Sequence, residues 1–229
     1  VEAVVICNPH NPIGRVWTDG EMEHIVDLCV EYGVYLLSDE IHADFGMTRP
    51  YTTAGRFEKI HDRLVVYTAI SKTFNMAGLG SSCMMIPNPE LKQKISDSYD
   101  ACWMFGPCDL AFTAMEAAYT HGDAWVDQQL AYLEGNVETV NTFVAEHMPG
   151  VQVTKHEGTF LMWLDMTCFG KSSRELTSIL AKEYGLALGD GSHYGTQAEG
   201  FMRLNIGCTR DTLIKGLEQM AVMYDKYVK

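Results

Sequence analysis

Ala3-Val4-Val5-Ile6-Cys7, then Thr18-Asp19-Gly20-Glu21, then Val34-Tyr35-Leu36-Leu37-Ser38 read in order as strand, helix start and strand. The two five-residue runs are nearly continuous in apolar residues, as in strands buried on both faces of a parallel sheet. Between them, Thr18 and Glu21 stand at capping-box spacing. Ile25, Leu28, Cys29 and Tyr32 keep helical spacing, and Gly33 supplies the stop. Strand, helix, strand over so short a span is a βαβ unit, which implies a parallel sheet with a right-handed crossover. A buried strand so near the first residue leads to the expectation of partner strands upstream of Val1.

The pattern extends outward. Leu64-Val65-Val66-Tyr67-Thr68 is a third run, and residues 82–86 a fourth. Asn88-Pro89-Glu90 predicts a helix start with Pro at the first helical position. A long helical pattern over 123–147 carries Leu130, Leu133, Val137 and Val140, and closes at Pro149-Gly150. Beyond it the character becomes α+β. Strands are expected at 151–155, 159–166 and 201–206, and helices at 173–184 and 211–227, the first opened by a second box, Ser172 with Glu175. The fold class is therefore α/β, a partial large domain with a mostly parallel sheet followed by a smaller α+β domain. The expected division is residues 1–122, a connecting helix at 123–148, and a small domain at 149–229.

Composition excludes several classes. A net charge of −13 argues against a nucleic-acid or anionic-membrane surface, which needs clustered Lys and Arg. No stretch approaches the ~18 to 20 apolar residues of a membrane span. Seven cysteines form no CxxC pair, and no His pair stands at metal-ligand spacing, so neither zinc nor a redox dithiol is indicated. Cysteines used as small core hydrophobes fit a reducing compartment, and the cytoplasm is expected.

Three segments follow the carboxyl ends of buried strands, where open α/β sheets bind ligands. They are Asn8-Pro9-His10-Asn11-Pro12-Ile13-Gly14, Ser38-Asp39-Glu40-Ile41-His42-Ala43-Asp44 and Ser71-Lys72-Thr73-Phe74-Asn75. Taken singly, Asn11 is a turn residue, Asp39 a strand end or helix cap, and Lys72 a surface lysine. Their conjunction, an amide, a carboxylate and an amine at successive strand ends, points to one crevice.

Asn-Pro-x-Asn-Pro-x-Gly, Asp-x-x-His and Ser-Lys-Thr-Phe, in this order, resemble the aminotransferase class I/II family of fold-type I pyridoxal 5′-phosphate enzymes. The resemblance covers roughly the C-terminal three-fifths of such a chain. Within the family, Ser38 to Asp44 and Ser71 to Leu79 look most like the C–S lyases of the MalY/PatB type. The resemblance implies that Lys72 is the Schiff-base lysine, which later shuttles the substrate Cα proton. Asp39 matches the carboxylate that keeps the pyridinium nitrogen protonated. Asn11 matches the amide on the phenolic oxygen, and His42 stands where many relatives carry Tyr. Ile41 should pack on a ring face, and Ser71 with the Ala69 backbone should meet the phosphate.

Strand alternation across Phe201-Met202-Arg203-Leu204-Asn205-Ile206 sets Met202, Leu204 and Ile206 on one face and Arg203 on the other. The family's Arg-x-Asn segment binds the substrate carboxylate, so Arg203 takes that role; Arg210 reads better as part of a helix start. One departure is Gly80, where many relatives place a phosphate-binding Arg. The resemblance implies β-elimination on a sulfur amino acid such as cystathionine or cysteine. Amino transfer remains open, as does an effector domain behind a DNA-binding helix-turn-helix. It also implies a homodimer acting on a small amino acid, and residues 1–229 alone are expected to be inactive.

Overall fold

The computed structural model describes residues 1–104 and 106–228. They form two compact units, one drawn from residues 1–10 and 16–128, the other from residues 11–15 and 129–228.

The first unit holds β1 (Ala3–Cys7), α1 (Asp19–Glu31), β2 (Tyr35–Asp39), β3 (Leu64–Thr68), α2 (Ile70–Thr73), β4 (Cys83–Met85), α3 (Pro89–Ala101) and α4 (Asp109–His121). Its sheet runs β1-β2-β3-β4, with β1, β2 and β3 parallel. Cys7, Asp39 and Tyr67 lie in one row at the carboxyl ends of the three parallel strands.

The capping box forms as read: Thr18 accepts from the Glu21 amide, and Glu21 accepts from Thr18 N at 2.9 Å. Met22, Val26 and Cys29, at i, i+4 and i+7, bury one stripe of α1 with Ile6, Leu36, Leu64 and Val66. This corrects the expected face. Leu28 and Tyr32 are exposed: Leu28 lies about 100° around the helix from Cys29, and Tyr32 is the C-cap residue beyond the last turn.

Among the described residues β1 is an edge strand, with Val5 71% exposed and Ile6 buried on the side that α1 covers, in keeping with the expectation of partner strands outside residues 1–229. One further expectation changes: β4 runs antiparallel to β3 instead of extending the parallel pattern. The linking residues are spent on α2 and on turns with positive φ at Asn75 and Gly80, not on a crossover helix.

α3 starts as read, with Asn88 accepting from the Glu90 and Leu91 amides and Pro89 in first position. The helix α4 carries no strong sequence signal and was not anticipated. α5 (Asp123–His147) matches the expected long helix, and the division between units falls inside it, after Gln128.

The second unit holds β5 (Gln152–Val153), β6 (Leu161–Asp165), α6 (Ser173–Tyr184), β7 (Gly189–Asp190), β8 (Phe201–Asn205) and α7 (Arg210–Tyr227). Its antiparallel sheet has the order β5-β6-β8-β7. Met162, Leu164, Met202 and Leu204 are buried, as are Leu133, Val140 and Val144 of α5, Leu176 and Leu180 of α6, and Leu213 and Leu217 of α7. Leu130 and Val137 are only half-buried, and Asn136 takes the central place on α5 instead. The Asn136 amide donates to Ile206 O at 2.8 Å and Cys208 O at 3.1 Å, and its oxygen accepts from Arg210 Nε. Arg210 thus anchors the start of α7, as the sequence favours. No described helix is long and apolar enough to cross a membrane.

Candidate active site

In the first unit, strand alternation separates three consecutive polar residues at the end of β2. Ser38 and Glu40 turn inward and are buried, and Asp39 turns the other way and is half-buried. Glu40 accepts from Ser38 Oγ at 2.8 Å, from the Ala54 amide at 2.9 Å and from the Tyr51 hydroxyl. Burial pushes the Glu40 carboxyl above its ordinary value, against the Ala54 amide and the Ser38 hydroxyl, which pull it down. The bonds pin residues 51–54 to the end of β2.

Asp39 is fixed through its main chain, where its carbonyl accepts from the Asn8 amide at 2.9 Å. Its Oδ1 accepts from the Ile41 amide at 3.1 Å. Oδ2 has no partner among the described residues. Ile41 is half-buried, and His42 is 2% exposed, its ring 6.0 Å from that of Phe45.

Lys72 stands on α2, four residues beyond β3. This single helical turn is too short to hold itself, so tertiary contacts fix it. Ile70 and Thr73 are buried, while Ser71 and Lys72 are half-buried. Thr73 Oγ1 donates to Asp44 Oδ2 at 2.7 Å, and Trp125 Nε1 donates to Thr73 O at 3.2 Å. No hydrogen bond or ion pair engages the Lys72 amine among the described residues. By contrast Lys59, Lys155 and Lys226 each meet a carboxylate within 3.2 Å. Gly80 adopts φ +58°, so its place in the sequence answers to a left-handed turn that an Arg would strain.

The Thr73–Asp44 bond gives a direct expectation. Thr73→Val keeps the shape but removes the donor, and should destabilise the protein by about 1 kcal/mol. Thr73→Ser should restore most of it. In urea titrations, Thr73→Val combined with Asp44→Ala should lose less than the two single losses added together; full additivity would mean the bond contributes nothing.

In the second unit, Gly14 (φ +76°) accepts through its carbonyl from the Glu157 amide at 2.7 Å and the Gly158 amide at 3.0 Å. A Cβ on Gly14 would lie 2.7 Å from His156 Cδ2, so only glycine lets this turn seat. The same turn carries Asn11, whose Oδ1 accepts from Arg203 Nη1 at 3.0 Å. Met202 is 0% and Leu204 9% exposed, and Arg203 between them is half-buried on the opposite face, as alternation requires.

His156, 8% exposed under that turn, is pushed by burial down to about 4, against backbone bonds to Thr159 and Leu161. Unfolded, it takes a proton near its ordinary value of 6.5. Stability held above that value is therefore lost as pH falls toward 4. The loss from this group should be about 2 kcal/mol between about pH 7 and about pH 5. Urea unfolding of His156→Gln should show a shallower acid limb by that amount; an unchanged limb would mean that His156 titrates normally.

Residues 1–220 match the family model described as aminotransferase class I and II. The chain belongs to that family. Among curated aminotransferase class I and II relatives, it is 38% identical over 222 residues to cystathionine beta-lyase PatB of Bacillus subtilis (strain 168). It is 32% identical over 223 residues to the protein MalY of Escherichia coli (strain K12). These alignments cover 96% and 93% of this chain but only 57% and 55% of the relatives' own length. The crystal structure of cystalysin from Treponema denticola, which contains a pyridoxal 5′-phosphate cofactor, matches with TM-score 0.94 at 29% identity. It covers 100% of this chain and 58% of that one. The PLP-bound C-S lyase from Staphylococcus hominis matches with TM-score 0.90 at 26% identity, over 100% of this chain and 60% of that one. The fold is that of the fold-type I family members.

The first unit therefore gathers Asp39, Ile41, His42, Ser71 and Lys72 at the carboxyl ends of β2 and β3, and the second joins Asn11 to Arg203. Glu40, Asp44 and Thr73 stand within the quoted segments, and their structural roles are set by the fold. The alternation Ser38-Asp39-Glu40 was the available signal for Glu40. Nothing local announces the Asp44–Thr73 bond, which joins residues 29 apart.

Proposed function

We propose that the whole protein is a pyridoxal-phosphate-dependent C–S β-lyase that cleaves a sulfur amino acid such as cystathionine. The observation that carries this reading is the pair formed by an unengaged Lys72 amine and an Asp39 carboxylate with one oxygen open, at the ends of adjacent parallel strands. That donor set suits the cofactor, which needs an amine for its aldehyde and an anion for its ring nitrogen. Asn11 fits as well. With its oxygen held by Arg203, its amide nitrogen has no partner among the described residues and can donate to a phenolic oxygen.

When bound, the pyridoxal group supplies an electron sink for charge released at the substrate Cα. Asp39 would hold a proton on the ring nitrogen. Ile41 and His42 would line the ring, and Ser71 would donate to the phosphate. Arg203 would fix the substrate carboxylate with its free guanidinium edge, a bidentate task that suits arginine. Lys72 would take the proton from Cα and return one to the departing thiolate. Cystathionine and water would then give homocysteine, pyruvate and ammonia. The names of PatB and of the C-S lyase structure favour elimination over amino transfer. We place the enzyme in the cytoplasm, in keeping with its seven free cysteines, and as a homodimer, as the family resemblance implies.

The test is pyruvate release from cystathionine by the whole purified protein, run beside amino transfer to 2-oxoglutarate. Pyruvate without transfer is the expected result. Transfer without pyruvate would make the protein an aminotransferase.

A further inference from the structure

Arg203 is held on more sides than its carboxylate role requires. In the sheet of the second unit it stands in one row with Trp163 of β6 and Gly189 of β7. Gly189 is bare on that side: a Cβ there would lie 3.1 Å from Arg203 Cβ and 3.2 Å from Nε. The arginine can thus lie flat over β7. Trp163 stacks on Phe201 at 5.6 Å with 17° between the rings, and meets Tyr194 edge-on at 5.5 Å and 87°. Tyr194 in turn lies with its ring centroid 5.5 Å from the Arg203 guanidinium carbon. Phe201, Trp163 and Tyr194 form an aromatic series that ends on the arginine.

We propose that Tyr194 is a positioning residue for carboxylate recognition: its ring supports the Arg203 guanidinium and aims the edge that Asn11 leaves open. This rests on Arg203 being the substrate's carboxylate partner. Asn11 takes Nη1, while Nε and Nη2 have no hydrogen-bond partner among the described residues. A guanidinium tethered at one nitrogen can still swing about that bond. An aromatic ring within cation–π range of the guanidinium restricts that swing through the attraction between cation and π-face. Preorganisation of this kind improves affinity because less freedom is lost when the ligand arrives. Trp163 is 6% exposed and packs against both Phe201 and Tyr194, so it buttresses the Tyr194 ring. Tyr194 itself is 42% exposed, so its replacement leaves the core intact.

The experiment uses the whole, cofactor-loaded protein with L-alanine and L-alaninamide, which differ only at the carboxylate, and reads Kd by calorimetry. Tyr194→Leu should weaken L-alanine by about 3- to 10-fold. L-alaninamide should change less than about twofold, the size of an uninvolved site. Tyr194→Phe, which keeps the ring, should behave as the parent does. With cystathionine, KM should rise in Tyr194→Leu while kcat holds. Equal weakening of both ligands, or no weakening, would overturn the proposal, as would a Phe variant as poor as the Leu variant. A parent that binds the two ligands alike would overturn it too, by removing Arg203 from the carboxylate. Absence of pyruvate from the parent would instead sink only the lyase reading, since the ligand pair still reports on Tyr194.

Discussion

Lys72→Ala in the whole protein should abolish turnover, with a loss of at least about 10³-fold, the scale of removing a positioned acid–base group. The same change should remove the borohydride-reducible attachment of the cofactor, and the reduced parent should carry its label on the peptide containing Lys72. The structural reason is specific to this lysine. Its amine is half-buried and unengaged, whereas Lys59, Lys155 and Lys226 are committed to carboxylates. Lys92, Lys94, Lys182 and Lys215 lie exposed on helices, and Lys171, half-buried, is taken up over the Tyr227 ring. The fold should survive, because α2 is held through Ile70, Thr73 and the Trp125 bond rather than through Lys72. A reducible label on any other lysine would refute the assignment.

The features legible in sequence are those decided locally or by period. Both capping boxes form because Thr18 with Glu21 and Ser172 with Glu175 satisfy each other's amides within one turn. The strand at Phe201–Asn205 places Arg203 as read, since alternation leaves no other choice once Met202 and Leu204 enter the core. The direction of β4 was not legible. Residues 82–86 are apolar in either sense, and direction depends on how the preceding turns spend their length. The stripe on α1 was misjudged for a related reason. Several apolar residues share the helix, and only the position of the sheet selects Met22, Val26 and Cys29.

The candidate site divides in the same way. Asn11, Asp39 and Lys72 were found because their residue types recur at strand ends in one order, a signal carried by chemistry. Thr73, Asp44, Glu40 and Tyr194 act through neighbours distant in sequence. Tyr194 stands nine positions before Arg203 with a loop and part of a strand between them. No period links two such residues. Only the three-dimensional structure shows the ring against the guanidinium.

Asp39→Ala should separate turnover from folding. On the proposed reading the carboxylate has two tasks in different places. Oδ1 accepts the Ile41 amide, and losing that bond should cost about 1 kcal/mol of stability. Oδ2 is open, and losing its charge leaves nothing to hold a proton on the ring nitrogen of the cofactor. Removing one preorganised electrostatic partner from a reacting centre costs about 10²- to 10³-fold in kcat. That loss should fall on kcat, with KM little changed, because the substrate carboxylate is assigned to Arg203. Asp39→Asn sharpens the test. An asparagine can still accept the Ile41 amide, so stability should return to that of the parent, while kcat should stay low because the charge is absent. Urea titration and steady-state kinetics on the three proteins give both numbers. If Asp39→Asn turned over at the parent's rate, the carboxylate would be a cap for residues 39–41 and nothing more. If it lost stability as fully as Asp39→Ala, the bond to Ile41 would depend on charge rather than on the acceptor alone, and the separation of tasks argued from Oδ1 and Oδ2 would fail.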